Sequence, residues 1–144
     1  MATDRRAEVT WRGDLLKGEG TITSVGSGSF GPLDVTWASR AEDPQGRTSP
    51  EELLAAAHAA CYSMALSHGL AGAGSPPESL EVSATVTFVP GTGITRSALT
   101  VTGRVPGIDA GAFRDAAEAA KDGCPVSSAL AGNVELSVEA TLEG

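Results

Sequence analysis

Polar and apolar residues alternate along three short stretches near the N-terminus: 7–12 (AEVTWR), 19–25 (EGTITSV) and 33–40 (LDVTWASR). Their two-residue period and β-branched content predict three strands, the first two joined by GDLLKG. After the loop AEDPQGRTSP the pattern changes, and no charged residue occurs from 53 to 70. Ser49 is placed to cap a helix there, Pro50 suits its first turn, and Glu52 completes a capping box. The helix ends in GLAGAG, whose glycines break it. About 20 residues at 1.5 Å each span roughly 30 Å, enough to cross the core of a small domain. The two-residue period returns in SLEVSATVTFVP (79–90) and ITRSALTVTGRVP (94–106), which read as an antiparallel pair joined by GTG. DAGAFRDAAEAAKDG (109–123) is an amphipathic helix with Asp109 as its cap. CPVSSALAG starts a shorter helix with Cys124 at the cap and Pro125 first inside, and NVELSVEATLE closes the chain as a strand.

The order is therefore βββ-α-ββ-α-α-β, an α+β arrangement, and 144 residues without an evident linker imply a single domain over 1–144. A net charge of −8 with no basic stripe argues against nucleic acid and against an anionic membrane surface as partners. The uncharged run 53–70 approaches the length of a membrane span, but its Ala, Ser and His content favours a buried helix. MATDRRAEVTW has no apolar core like that of a signal peptide, so the expected compartment is the cytoplasm, where thiols stay reduced.

Chemistry rests on few residues. Cys61 and Cys124 make no CxxC, and His58 and His68 form no zinc pattern with them; neither a GxSxG elbow nor a glycine-rich phosphate loop occurs. That leaves thiol chemistry. Local electrostatics favour Cys124 as the thiolate, because a helix N-terminus directs free N–H groups at it. Cys61 lies mid-helix and would need a cation from elsewhere, which leaves it open between inert packing and function. His58 at i−3 and His68 at i+7 share roughly its face, and both read as hydrogen-bonded core histidines. Trp11 and Trp37 read as core residues on strands, and Asp109 as a cap.

TSPEELLAAAHAACYSMALS and VPGIDAGAFRDAAEAAKDGCPVSSAL, together with VTWRGDLLKGEGTI, resemble the OsmC/Ohr family of osmotically inducible and organic hydroperoxide resistance proteins. The resemblance spans about residues 8–142, and PEEL…AAHAAC and GCPVS are its specific blocks. It implies an intertwined homodimer with a long central helix packed on antiparallel sheets, and a thiol-dependent peroxidase acting on organic hydroperoxides. By position, Cys61 corresponds to the peroxide-attacking residue and Cys124 to the resolving one. Arg40 matches the arginine that favours the thiolate, and Glu51 the glutamate that holds that arginine. This reverses the local assignment of the nucleophile; an arginine beside Cys61 can outweigh a helix terminus at Cys124. Arg47 is the alternative cation. No metal, haem or flavin is implied, only an external dithiol reductant, which in the Ohr branch is a lipoylated protein.

Glu51 and Cys61 lie ten positions apart on one helix, roughly 15 Å along its axis. If both serve one site, a second chain supplies the glutamate, so a composite site at a dimer interface is expected. Ala57, Met64 and Ala65 would give Cys61 an apolar surrounding suited to an alkyl hydroperoxide. Two other classes compete with a peroxidase. One is a non-catalytic dimeric domain binding a small apolar ligand, with packing cysteines. The other is a general thiol–disulfide oxidoreductase, which the lack of CxxC disfavours.

Overall fold

The computed structural model describes residues 1–144, which pack as two compact units, Met1–Leu53 and Leu54–Gly144. In the first, β1 (Ala7–Arg12), β2 (Glu19–Val25) and β3 (Leu33–Val35) form an antiparallel sheet in the order β1-β2-β3. The β1–β2 connection is closed by Asp14, whose carboxylate accepts the Lys17 N–H at 2.7 Å. Gly20 and Ile22 of β2 are buried, whereas β1 is exposed along its whole length. Trp11 is on a strand as expected but 40% exposed, not core. Its ring lies over Gly20, where an added Cβ would come within 2.6 Å of it.

The third strand is shorter than the alternation of LDVTWASR suggests. It stops at Val35, and α1 (Trp37–Ala41) follows. The reason is a capping box: the Ser39 N–H donates to Thr36 Oγ1 at 3.0 Å and the Thr36 N–H to Ser39 Oγ at 2.9 Å. Trp37 and Arg40 consequently lie on a helix rather than a strand, and the element order is βββ-α-α-ββ-α-α-β.

The long helix α2 (Pro50–Gly72) begins in the first unit and continues unbroken into the second. Ser49 caps it, accepting the Glu52 N–H at 3.1 Å. The Glu52 carboxylate accepts from the Thr48 hydroxyl at 2.8 Å, so the expected box partner is engaged elsewhere.

In the second unit, β4 (Ser79–Val89) pairs antiparallel with β5 (Gly93–Arg104), and β6 (Glu135–Leu142) pairs parallel with β5. The expectation of purely antiparallel sheets is thus corrected. Between β5 and β6 the chain passes through α3 (Ala110–Gly123) and α4 (Pro125–Leu130), a connection long enough for the last strand to return in the same direction. Asp109 caps α3 through a 2.8 Å bond from the Ala112 N–H. Ser97, Leu99, Val101 and Gly103 of β5 face inward at alternate positions. Against them pack Phe113, Ala117 and Ala120 of α3 and Tyr62, Leu66 and Leu70 of α2, two stripes at helical spacing. The Tyr62 hydroxyl donates to the Ala117 carbonyl at 2.8 Å, which ties α2 to α3. No helix is long and apolar enough to cross a membrane.

Candidate active site

The second unit brings together the two cysteines that are 63 positions apart in sequence. Cys61 projects from the middle of α2 beside the buried stripe, and Cys124 stands between α3 and α4. The Cys61 thiol donates a hydrogen bond to the Cys124 sulfur. Their accessibility differs: Cys61 is half-buried, whereas Cys124 has no exposed surface. A reagent from solvent therefore meets Cys61 first.

Their ionisation runs the other way. Cys61 is pushed above the ordinary thiol range by burial, and its proximity to Cys124 adds to the rise, while one backbone N–H, from Val126, opposes it. At Cys124 burial also raises the thiol. It is outweighed by donors, the backbone N–H of Ser127, the Cys61 thiol, the Ser127 hydroxyl and the backbone N–H of Val126, so the net direction is down. Cys124 stands at the N-cap of α4 with Pro125 first inside the helix, as the sequence predicts.

His58, one turn before Tyr62 on α2, is fully buried. Its Nδ1 lies 2.6 Å from the Ser97 hydroxyl on β5 and its Nε2 2.8 Å from the Ser127 hydroxyl on α4. Burial holds its pKa below the ordinary histidine value, so the ring is neutral at neutral pH. His58 is the hydrogen-bonded core histidine that was expected; its two serine partners were not foreseen. They lie 39 and 69 positions away, and only the folded chain joins them. His68 is exposed and is no part of this cluster. Of the apolar residues expected around Cys61, Ala65 packs against the core, whereas Ala57 and Met64 are exposed.

Arg40 and Glu51 meet within the first unit. The Arg40 Nε donates to both carboxylate oxygens of Glu51, at 3.0 and 3.1 Å, and its Nη2 to Oε2 at 2.9 Å. This is a bidentate fork, which fixes the guanidinium plane as well as its charge. The Glu51 side chain is 8% exposed and that of Arg40 32%. Arg47 is exposed on the loop before α2. No group of three or more His, Cys, Asp or Glu is arranged to hold a metal ion.

The site is thus one reachable thiol beside one fully buried thiol in an α+β chain. Comparison with known proteins narrows the class. Residues 42–139 match the OsmC-like protein family. Peroxiredoxin OsmC of Escherichia coli K12 is 41% identical over 139 residues, which is 94% of this chain and 96% of that protein, and that of Shigella flexneri is equally similar. The chain therefore belongs to the OsmC-like family. Among solved structures, the organic hydroperoxide resistance protein OhrB of Bacillus subtilis superposes with a TM-score of 0.64 at 27% identity, covering 94% of this chain and 98% of its own. An OsmC-like protein from Mycoplasma pneumoniae reaches a TM-score of 0.70 at 16% identity over 99% of this chain and all of its own, a likeness of fold.

Proposed function

We propose that this protein is a thiol-dependent peroxidase that reduces organic hydroperoxides, with Cys61 as the attacking residue and Cys124 as the resolving one. The observation that carries the reading is the pair itself: a half-buried Cys61 thiol hydrogen-bonded to a fully buried Cys124. The names of the relatives, a peroxiredoxin and an organic hydroperoxide resistance protein, support it.

In this reading the Cys61 thiolate attacks the outer peroxide oxygen. The O–O bond breaks, the alcohol leaves with a proton, and Cys61 becomes a sulfenic acid. The Cys124 sulfur then attacks the Cys61 sulfur. The S–S bond forms and the oxygen departs as water. An external dithiol reopens the disulfide, with a lipoylated protein as the proposed donor, in a reducing cytoplasmic setting.

The weak point of an isolated chain is the ionisation of Cys61, since burial and its neighbour both raise its pKa. A cation beside the sulfur would reverse that. The Arg40–Glu51 fork is the proposed source, serving Cys61 of a second copy of the chain in a homodimer. Two features support a second copy. Val9, Trp11, Leu15 and Leu16 leave the first unit with exposed apolar side chains, between 40% and 74% accessible. On α2, Ala56, Ala57, Ala60 and Met64 stand exposed on a helix that carries no charge from 53 to 70.

Mass spectrometry after one equivalent of cumene hydroperoxide tests the reading. The expected product has lost two hydrogens and carries a Cys61–Cys124 linkage, and Cys61→Ser abolishes peroxide consumption. Intact free thiols with the peroxide unconsumed would refute it.

A further inference from the structure

Nothing in the two-cysteine scheme uses His58, although it is the only ionisable side chain with no exposed surface besides Tyr62 and Cys124. Its ring on α2 is the middle of a chain of three groups, with Ser97 on β5 at one end and Ser127 on α4 at the other. All three are buried, Ser127 to 2% exposure and the others fully. Ser127 is one turn beyond Cys124, and its hydroxyl is one of the donors to the Cys124 sulfur.

The direction of the bonds follows from counting protons. A serine hydroxyl has one proton to give. If Ser127 spends it on Cys124, its oxygen must accept from the ring, so His58 carries its proton on Nε2. Nδ1 is then bare and accepts from the Ser97 hydroxyl. One orientation satisfies every member: Ser97 donates to Nδ1, Nε2 donates to Ser127, and Ser127 donates to sulfur. A neutral ring is what this orientation needs.

We infer that His58 is a positioning residue for the resolving step, acting through Ser127 to aim a hydroxyl donor at the Cys124 sulfur, with Ser97 fixing its tautomer. This rests on the proposed peroxidase reading and assigns it a further residue. In the step concerned, Cys124 gives up its thiol proton and attacks the sulfenic sulfur of Cys61. The S–S bond forms, the S–O bond breaks, and the oxygen leaves as water with that proton. The Cys124 sulfur is oxidised and the sulfenic sulfur reduced, so no further reagent enters. The donor steadies the thiolate before attack.

The test separates the two half-reactions by rapid mixing with one equivalent of cumene hydroperoxide, following peroxide loss and disulfide closure independently. Ser127→Ala and His58→Met are expected to slow closure about tenfold more than they slow peroxide loss. His58→Gln, whose amide can donate to Ser127 and accept from Ser97, is expected to restore most of the closure rate. Equal rates of closure in the wild type and in Ser127→Ala would overturn the inference, as would a His58→Gln variant as slow as His58→Met.

A second readout does not need peroxide chemistry. In a Cys61→Ser background, which keeps a hydroxyl donor at position 61, ultraviolet absorbance follows the Cys124 thiolate alone among thiols. Tyr62 of α2 is the remaining titratable group beside it, with Glu118 of α3 and its partner Lys121 beyond, and these are common to all the variants. Adding Ser127→Ala or His58→Met should move the thiolate titration to higher pH, and His58→Gln should not. An unmoved titration overturns the inference even if the wild type consumes no peroxide. A moved one without peroxide loss upholds the chain of bonds and refutes the peroxidase reading instead.

Discussion

At the scale of single residues, burial decides protonation, and His58 shows the consequence most directly. Its ring sits between two serine hydroxyls with no exposed surface, and burial lowers its pKa from the ordinary 6.5. In the unfolded chain the same ring takes up a proton near 6.5. Below that pH the unfolded state therefore binds a proton that the folded state refuses, and stability falls as pH drops, until the lowered folded value is reached. Above about 6.5 both states hold a neutral ring and the contribution is flat. Unfolding free energies from urea titrations between about pH 7.5 and 5.5 should fall as pH drops by at most about 1.4 kcal/mol per unit from this group. His58→Gln should flatten that part of the slope. Identical slopes in the two proteins would show that the folded ring protonates as easily as the unfolded one.

At the scale of elements, what could be read ahead depended on how local the cause was. Ser49 and Asp109 were legible as caps because a cap needs only its next few residues. Strands β4 and β5 were legible because alternation and a short turn are local too. The end of β3 was equally local and was still missed. Alternation in LDVTWASR masked the Thr36–Ser39 box that turns the chain into α1. The parallel placement of β6 was beyond reach, because its partner β5 lies across two helices. The site divides in the same way. The helix terminus at Cys124 was readable, but its contact with Cys61 and the two serines on His58 span 39 to 69 positions. One such non-local contact is open to a simple test. Gly103 in β5 leaves room for the Phe113 ring of α3, and a Cβ there would stand 2.5 Å from the ring's Cζ and 3.2 Å from Leu80. Gly103→Ala should cost about 1–3 kcal/mol through this overpacking, despite alanine's better fit to a strand. A double change, Gly103→Ala with Phe113→Leu, should recover part of the loss. A neutral Gly103→Ala would mean that α3 is free to shift away from the sheet.

At the scale of the whole molecule, the proposed reading turns on whether one chain or two supply the groups around Cys61. The Arg40–Glu51 fork is internal to one compact unit and the Cys61–Cys124 pair to the other. Helix α2 runs unbroken from Pro50 to Gly72, so Glu51 and Cys61 are separated by ten residues of rise, about 15 Å. A composite site across a two-fold dimer meets that constraint, and it makes a prediction that a site within one chain does not. In the proposed reading, Arg40→Ala alone leaves Cys61 without its cation and Cys61→Ser alone removes the nucleophile, so each variant by itself should consume peroxide very slowly. Coexpressed in equal amounts and assorted at random, half of the dimers are mixed. Each mixed dimer pairs the intact Cys61 of one chain with the intact Arg40 and Glu51 of the other at one of its two sites. About a quarter of the wild-type activity should therefore return. If the arginine serves the cysteine of its own chain, no mixed dimer holds a complete site and coexpression restores nothing. Peroxide consumption by the tagged and purified mixed dimer, measured against the two parent variants, decides between them.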